Sequence, residues 1–254
     1  MISIPSISIV GTGNVAQVFG QKFVDSGIKI ASVIGRDEQK LLELSKRWNS
    51  QIETLKSISG ELILVAVPDE NIQEIINQID SEKDVIYTAG SIDLDTILHP
   101  NCGVFYPLQT ITENKKGSKL KFPLLIESKN EKLTQVLFQL GNQISNSVEY
   151  CNSEKRKKIH LSAVFINNFT NHMIYLGYKI ANQNAIDSSI YADLLEETFD
   201  KLKNMEPFEA QTGPARRNDL ATIKTQIDML DESDRELYIN ITNSILKTYL
   251  NEKL

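Results

Sequence analysis

A short apolar run, Ile7–Val10, leads directly into Gly11–Thr12–Gly13–Asn14–Val15–Ala16, and an amphipathic stretch follows with Val18, Phe19 and Phe23 on one face. Strand, glycine turn and helix in that order constrain the fold more than any other feature of the chain. Each small residue has a physical task at its position: Gly11 permits the tight turn, Gly13 lets a ligand approach the backbone with no Cβ in the way, and Ala16 allows the helix to pack closely on the strand. The helix start also presents free backbone N–H groups and the positive end of its dipole, which together suit a diphosphate. A plain βα turn would need only one glycine.

Short runs of Ile, Val and Leu continue to alternate with longer amphipathic stretches as far as Tyr150, the rhythm of a mostly parallel sheet. This predicts strands at Ile7–Val10, Ile28–Ile34, Leu62–Val67, Val85–Thr88, Gly103–Tyr106, Leu124–Glu127 and Ser147–Tyr150. Helices are expected over Val15–Ser26, Asp37–Asn49, Asn71–Ile79 and Glu131–Leu140. Beyond Tyr150 the pattern is helical, over Ile159–Ile180, Tyr191–Met205, Leu220–Leu230 and Arg235–Leu250, broken by Pro207 and by Thr212–Gly213–Pro214. The expected class is α/β: an N-terminal Rossmann dinucleotide-binding domain over residues 1–151, followed by an all-α domain over residues 152–254.

A net charge of −6 gives no general attraction to phosphate backbones or anionic lipid, so neither nucleic acid nor membrane is an expected partner. Two basic stretches, Lys115–Lys121 and Lys155–Lys158, lie beside Asn, Ser or Gly and read as solvated loop or helix start. The two cysteines, Cys102 and Cys151, are too far apart in sequence for a metal-ligand cluster or a disulfide framework. No metal is expected. No leader segment or apolar run of bilayer length is evident, and the expected location is cytoplasmic.

The second predicted strand ends Ser32–Val33–Ile34–Gly35–Arg36, placing a guanidinium where an NAD-preferring site carries Asp or Glu. The missing acid also argues against a methyltransferase-type loop. A planar, permanently charged fork suits a 2′-phosphate, so NADP is the expected cofactor; the alternative is a surface arginine that starts the next helix. Ligands in open α/β sheets sit outside the carboxyl ends of the strands. The tips at Val67–Pro68 and at Gly90–Ser91 are therefore expected to border the nicotinamide. Ser91 is either a substrate contact or a turn cap. The expected cofactor contacts are Gly11, Thr12, Gly13, Asn14, Val15, Gly35, Arg36, Val67 and Pro68.

On the long helix, straight helical spacing puts His160, Asn167, Asn171 and Tyr178 on one stripe, while Leu161, Val164, Phe165, Phe169, Met173, Leu176 and Ile180 cover much of the rest. An apolar circumference predicts a largely buried helix. The uncharged polar stripe then faces either a polar cleft or an internal hydrogen-bond network.

The GTGNVA loop, the VAVPD strand end, Tyr106–Pro107–Leu108–Gln109–Thr110, the helix HLSAVFINNFTNH from His160 and TGPARRND from Thr212 occur in this order over nearly the whole chain. In this the sequence resembles the Rossmann-like, DUF2520-containing NADP oxidoreductases. That group is similar in plan to pyrroline-5-carboxylate reductases, coenzyme F420-dependent NADP oxidoreductases and β-hydroxyacid dehydrogenases. The resemblance implies a homodimer through the C-terminal helices and a small-molecule substrate, with Gln109 lining the cleft. In the hydroxyacid dehydrogenases the matching helix carries a Lys one turn before an Asn. The Asn position is Asn168 here, but the Lys position is Val164.

Without that ammonium, simple hydroxyacid chemistry lacks its proton donor. His160, one turn earlier, is the nearest replacement, since an imidazole can both accept and donate a proton. Arg216 follows Gly213–Pro214 and is suited either to clamp a substrate anion or to form ion pairs between subunits. The sequence thus points to an NADP(H)-dependent oxidoreductase for a small anionic carbonyl or imine compound, with His160 and Asn168 as catalytic candidates. The alternative from another class is a non-catalytic NADP(H)-binding sensor or interaction protein.

Overall fold

In a computed structural model, residues 4–112 and 120–250 are described. The chain divides into two compact units, Met1–Ile174 and Tyr175–Leu254. The first holds an eight-stranded sheet in the order β3-β2-β1-β4-β5-β6-β7-β8. Its strands are β1 (Ile7–Val10), β2 (Ile30–Ile34), β3 (Gln51–Ile52), β4 (Leu62–Val65), β5 (Asp84–Tyr87), β6 (Cys102–Pro107), β7 (Pro123–Ser128) and β8 (Ser147–Tyr150). Every pairing is parallel except β6 with β7, where Phe105 lies opposite Ile126.

Parallel strands covered on both faces must be apolar along their length, and β4 shows the consequence. Leu62 and Leu64 enter one core with Ile7, Ile9, Phe19, Phe23 and Phe105. Ile63 and Val65 enter the core on the other face with Val10, Ile72, Ile76, Val85 and Tyr87. Helices α1 (Asn14–Asp25), α2 (Glu38–Trp48), α3 (Asp69–Ile76) and α4 (Glu131–Ile144) cover the two faces. Asp37 starts α2 by accepting a hydrogen bond from Lys40 N at 3.1 Å, and Asn130 starts α4 by accepting from Leu133 N at 2.8 Å. Packing is close where α1 crosses α2: a Cβ on Gly20 would lie 2.2 Å from the Trp48 ring.

The expected strands and helices are present, with ends moved by a residue or more at most positions. β3 is additional; two exposed residues at an edge are too few to carry a period. After β8, α5 (Ser153–Ala163), a π-helical segment (Val164–Phe169) and α6 (Thr170–Gln183) run on without a break, and the compact units divide inside α6. The expected boundary at 151/152 is where the sheet gives way to helix. The second unit continues with α7 (Ala192–Asn204), α8 (Pro207–Ala210), α9 (Leu220–Asp228) and α10 (Glu232–Leu250). Among the described residues no helix is long and apolar enough to cross a membrane.

Two expectations need correction. The long helix is not largely buried in the single chain: Leu161, Phe165, Ile166 and Phe169 are all exposed, Ile166 by 74%. An apolar circumference shows that cover is wanted, and the described residues of this chain do not provide it. The stretch Lys155–Lys158 is also not simply solvated, since Arg156 is fully buried. Its guanidinium meets Glu127 of β7, the Ile92 carbonyl at 2.6 Å and Ser153 Oγ at 3.0 Å, so it pins α5 to the sheet. Most of the other basic stretch, Lys115–Lys121, lies outside the described residues.

Candidate cofactor and active site

The glycine loop sits at the carboxyl ends of the central strands. Gly11 N donates to Ile34 O at 2.8 Å, tying the loop to β2. Its φ of 123° lies where residues with a side chain are strained, and a Cβ there would be 2.2 Å from the Ala66 carbonyl oxygen. Gly13 differs in kind, since nothing lies within 4 Å of the place its Cβ would occupy. It caps α1 in extended conformation with no side-chain hydrogen bond, and the first turn of α1 holds no acid. The N–H groups of that turn are thus neither capped nor electrostatically satisfied by the helix's own side chains.

Gln17 Nε2 donates to Thr12 O at 2.9 Å and braces the loop from inside α1. Gly35 packs so close to Thr12 that a Cβ would come within 2.9 Å of its methyl group. Arg36 follows at the tip of β2, exposed, with no hydrogen-bond or ion-pair partner among the described residues. Val67 is half-buried beside Gly11, and Pro68 is exposed as the residue that starts α3. The nine residues expected at the cofactor therefore gather along the carboxyl ends of β1, β2 and β4.

A second cluster lies at the tips of β4, β5 and β6 and on α5. Ser91 Oγ donates to the Asp69 carboxylate, joining two strand tips. The Tyr106 hydroxyl is 3.0 Å from His160 Nδ1, and the two rings meet edge to face with centroids 5.9 Å apart. Gly90 lies against this pair: a Cβ there would be 2.7 Å from Tyr106 Cζ and 2.8 Å from His160 Nδ1. Burial pushes the Tyr106 phenol above its usual range, the Asp69 carboxylate adds to that, and Arg156 opposes it.

Other expected residues fall elsewhere. Asn168 is exposed within the π-helical segment and makes no hydrogen bond to the described residues through its side chain. The polar stripe drawn from His160 through Asn167 to Tyr178 assumed one helical period. Backbone bonds from i to i+5 put more residues into each turn, which rotates everything beyond Phe169. Gln109 is turned into its own loop, with Nε2 on Lys121 O at 3.0 Å and Oε1 accepting from Thr110 N at 2.9 Å. In the second unit, Arg216 lies over the Tyr249 ring at 4.6 Å, and Tyr249 stacks on Phe208.

Tyr106 and Asp69 belong to the candidate cluster, and Arg156 to the anchor of α5 beside it, without having been expected there. Tyr106 stands in a quoted motif at the carboxyl end of a predicted strand, where a polar ring merits the weight given to Ser91. Nothing in a basic run distinguishes Arg156 from its lysine neighbours.

Residues 122–245 match the family described as Domain of unknown function (DUF2520), and residues 6–89 match NADP oxidoreductase coenzyme F420-dependent. Among solved structures, a Bacteroides fragilis protein named "putative NADP oxidoreductase" is 31% identical with a TM-score of 0.86, over 96% of this chain and 100% of that one. A Thermotoga maritima protein is 20% identical with a TM-score of 0.72, over 96% of this chain and 98% of that one. An imine reductase from Myxococcus stipitatus, solved with NAD+, shares the fold at 11% identity and a TM-score of 0.63, over 96% of this chain and 93% of its own. No curated protein matches. With a relative of this identity aligned over its whole length and DUF2520 matched over residues 122–245, the chain belongs to the Rossmann-fold, DUF2520-containing NADP oxidoreductase family.

Proposed function

We propose that the protein is a cytoplasmic NADP(H)-dependent oxidoreductase that transfers hydride to or from a small, anionic carbonyl or imine compound. One observation carries this reading: the open flank of Gly13, under uncapped N–H groups, beside a guanidinium at Arg36 that has no partner among the described residues. A diphosphate fits the first and a 2′-phosphate the second. The match of residues 6–89 to an NADP oxidoreductase family and the name of the Bacteroides fragilis relative point the same way.

When bound, the nicotinamide supplies or accepts the hydride. Gly11, Thr12, Gly13, Asn14 and Val15 would hold the diphosphate at the first turn of α1. Gly35 and Arg36 would hold the ribose phosphate, and Val67 and Pro68 would border the nicotinamide. His160 moves the proton that accompanies the hydride, between its imidazole and the oxygen or nitrogen of the reacting centre. Ser91, held by Asp69, contributes a hydroxyl at the same strand tips.

Exposure of Leu161, Phe165, Ile166 and Phe169 supports a homodimer whose second copy covers them. Cofactor choice is tested by fluorescence titration of NADPH and NADH against the wild type and Arg36→Ala. The expected result is a loss of NADPH affinity of roughly tenfold or more, the scale of a charged hydrogen bond, with NADH held within about twofold. Equal weakening of both would remove Arg36 from the site. Turnover is tested by following NADPH oxidation against a panel of carbonyl and imine compounds. Binding with no oxidation across the panel would replace the enzyme by a sensor.

A further inference from the structure

Within the active-site cluster, Tyr106 and His160 are 54 residues apart in sequence and meet at 3.0 Å over a glycine that leaves no room for a Cβ. Such a contact has two chemical forms, because either the phenol or Nδ1 can carry the shared proton. A phenol proton needs an acceptor. Among the described residues the only one bonded to the Tyr106 hydroxyl is His160 Nδ1. If Nδ1 held the proton instead, the half-buried phenol would have no protein acceptor for its own.

We propose that Tyr106 is a positioning residue: its hydroxyl donates to His160 Nδ1, fixing the neutral imidazole as the Nε2–H tautomer, with Nε2 on the ring edge away from the tyrosine. His160 Nε2 has no partner among the described residues and is not sealed from solvent. The substrate atom it meets is consequently a hydrogen-bond acceptor, a carbonyl oxygen or an imine nitrogen, and not a donating group. This rests on the assignment of His160 to proton transfer made above. The phenol, half-buried and raised by that burial and by the Asp69 charge, agrees with a group that keeps its proton and works through its neighbour.

The test needs no substrate. The chain has three histidines, so long-range imidazole 1H–15N correlation spectra of the whole protein are assignable with His160→Gln as the key. Recorded above histidine's titration range, at about pH 8, wild-type His160 should show the fixed Nε2–H pattern. Tyr106→Phe removes only the hydroxyl, and Gly90→Ala wedges the pair apart with both partners retained. Both should lose the fixed pattern for the averaged one of an unheld ring, while His99 and His172 keep theirs and report an intact fold. A wild-type His160 that is Nδ1-protonated or already averaged overturns the proposal, as does a fixed pattern that survives both variants. Failure of the protein to bind NADPH would sink the oxidoreductase reading and leave this measurement standing; NADPH binding together with a Nδ1-protonated His160 would sink the positioning role alone.

Discussion

Two glycines of one loop do different jobs, and the distinction decides what each substitution should cost. Gly11 is required by backbone conformation and by the Ala66 carbonyl 2.2 Å from where a Cβ would stand, a backbone atom that has no side-chain freedom to retreat. Gly11→Ala should therefore destabilise the fold itself, by about 1–3 kcal/mol from strain with overpacking added. Urea unfolding would show it as a lower midpoint, with or without cofactor. Gly13→Ala meets no atom of the protein, so its urea midpoint should stay close to wild type while NADPH affinity falls. A Gly13→Ala protein that binds NADPH normally would mean that the diphosphate does not lie there. The first glycine's role was legible from its place after a strand, and its close neighbour at Ala66 was not, because that carbonyl arrives from a different strand.

At the scale of elements, α5 is held to the sheet by a charge rather than by an apolar face. Glu127 also accepts from Ser153 N at 2.9 Å and Ser153 Oγ at 2.7 Å, so the Arg156 ion pair sits in a network that anchors the start of α5. Removing one partner leaves the other charge buried and unpaired. Arg156→Met should cost about 3–5 kcal/mol in chemical denaturation. The double variant Arg156→Met with Glu127→Gln should recover part of this loss. A single variant as stable as wild type would show that the pair anchors nothing. The π-helical segment that follows bears the exposed Phe165 and Ile166, with Phe165 edge to face against Phe169 at 4.9 Å. If a second copy covers this face, Phe165→Asp should turn a dimer into a monomer in sedimentation equilibrium, without loss of helical signal by circular dichroism. A wild-type protein that sediments as a monomer at micromolar concentration would remove the dimer from the account.

For the molecule as a whole, buried ionisable groups set the stability in alkali. Burial pushes the Cys102 thiol from its ordinary 9.0 up to about 12, and burial raises the Tyr87 phenol in the same direction. A group that binds its proton more tightly when folded makes stability fall as pH rises above its unfolded value. From about pH 8 stability should decline as pH rises through the thiol range toward pH 12, visible as a lower urea midpoint at about pH 11 than at about pH 8. Cys102→Ala should flatten part of that decline; an unchanged slope would assign it to the tyrosines.

The order and kind of the elements, the place of the glycine loop at the end of the first strand, and a basic side chain at the end of the second were all readable from the residues alone. These are local matters: two-residue and helical periods, turn residues and capping residues act within a few positions of one another. The sequence also led to the wrong burial for the long helix, because a period tells which face is apolar and not whether the same chain covers it. Tertiary structure alone decided that Tyr106 meets His160, that Asp69 holds Ser91, and that one arginine of a basic run is buried on Glu127. Those partners come from different elements, brought together by the sheet order and by the antiparallel turn of β7 beside β6. Side chains distant in sequence carry no mark of one another until the packing of their elements fixes the distance between them.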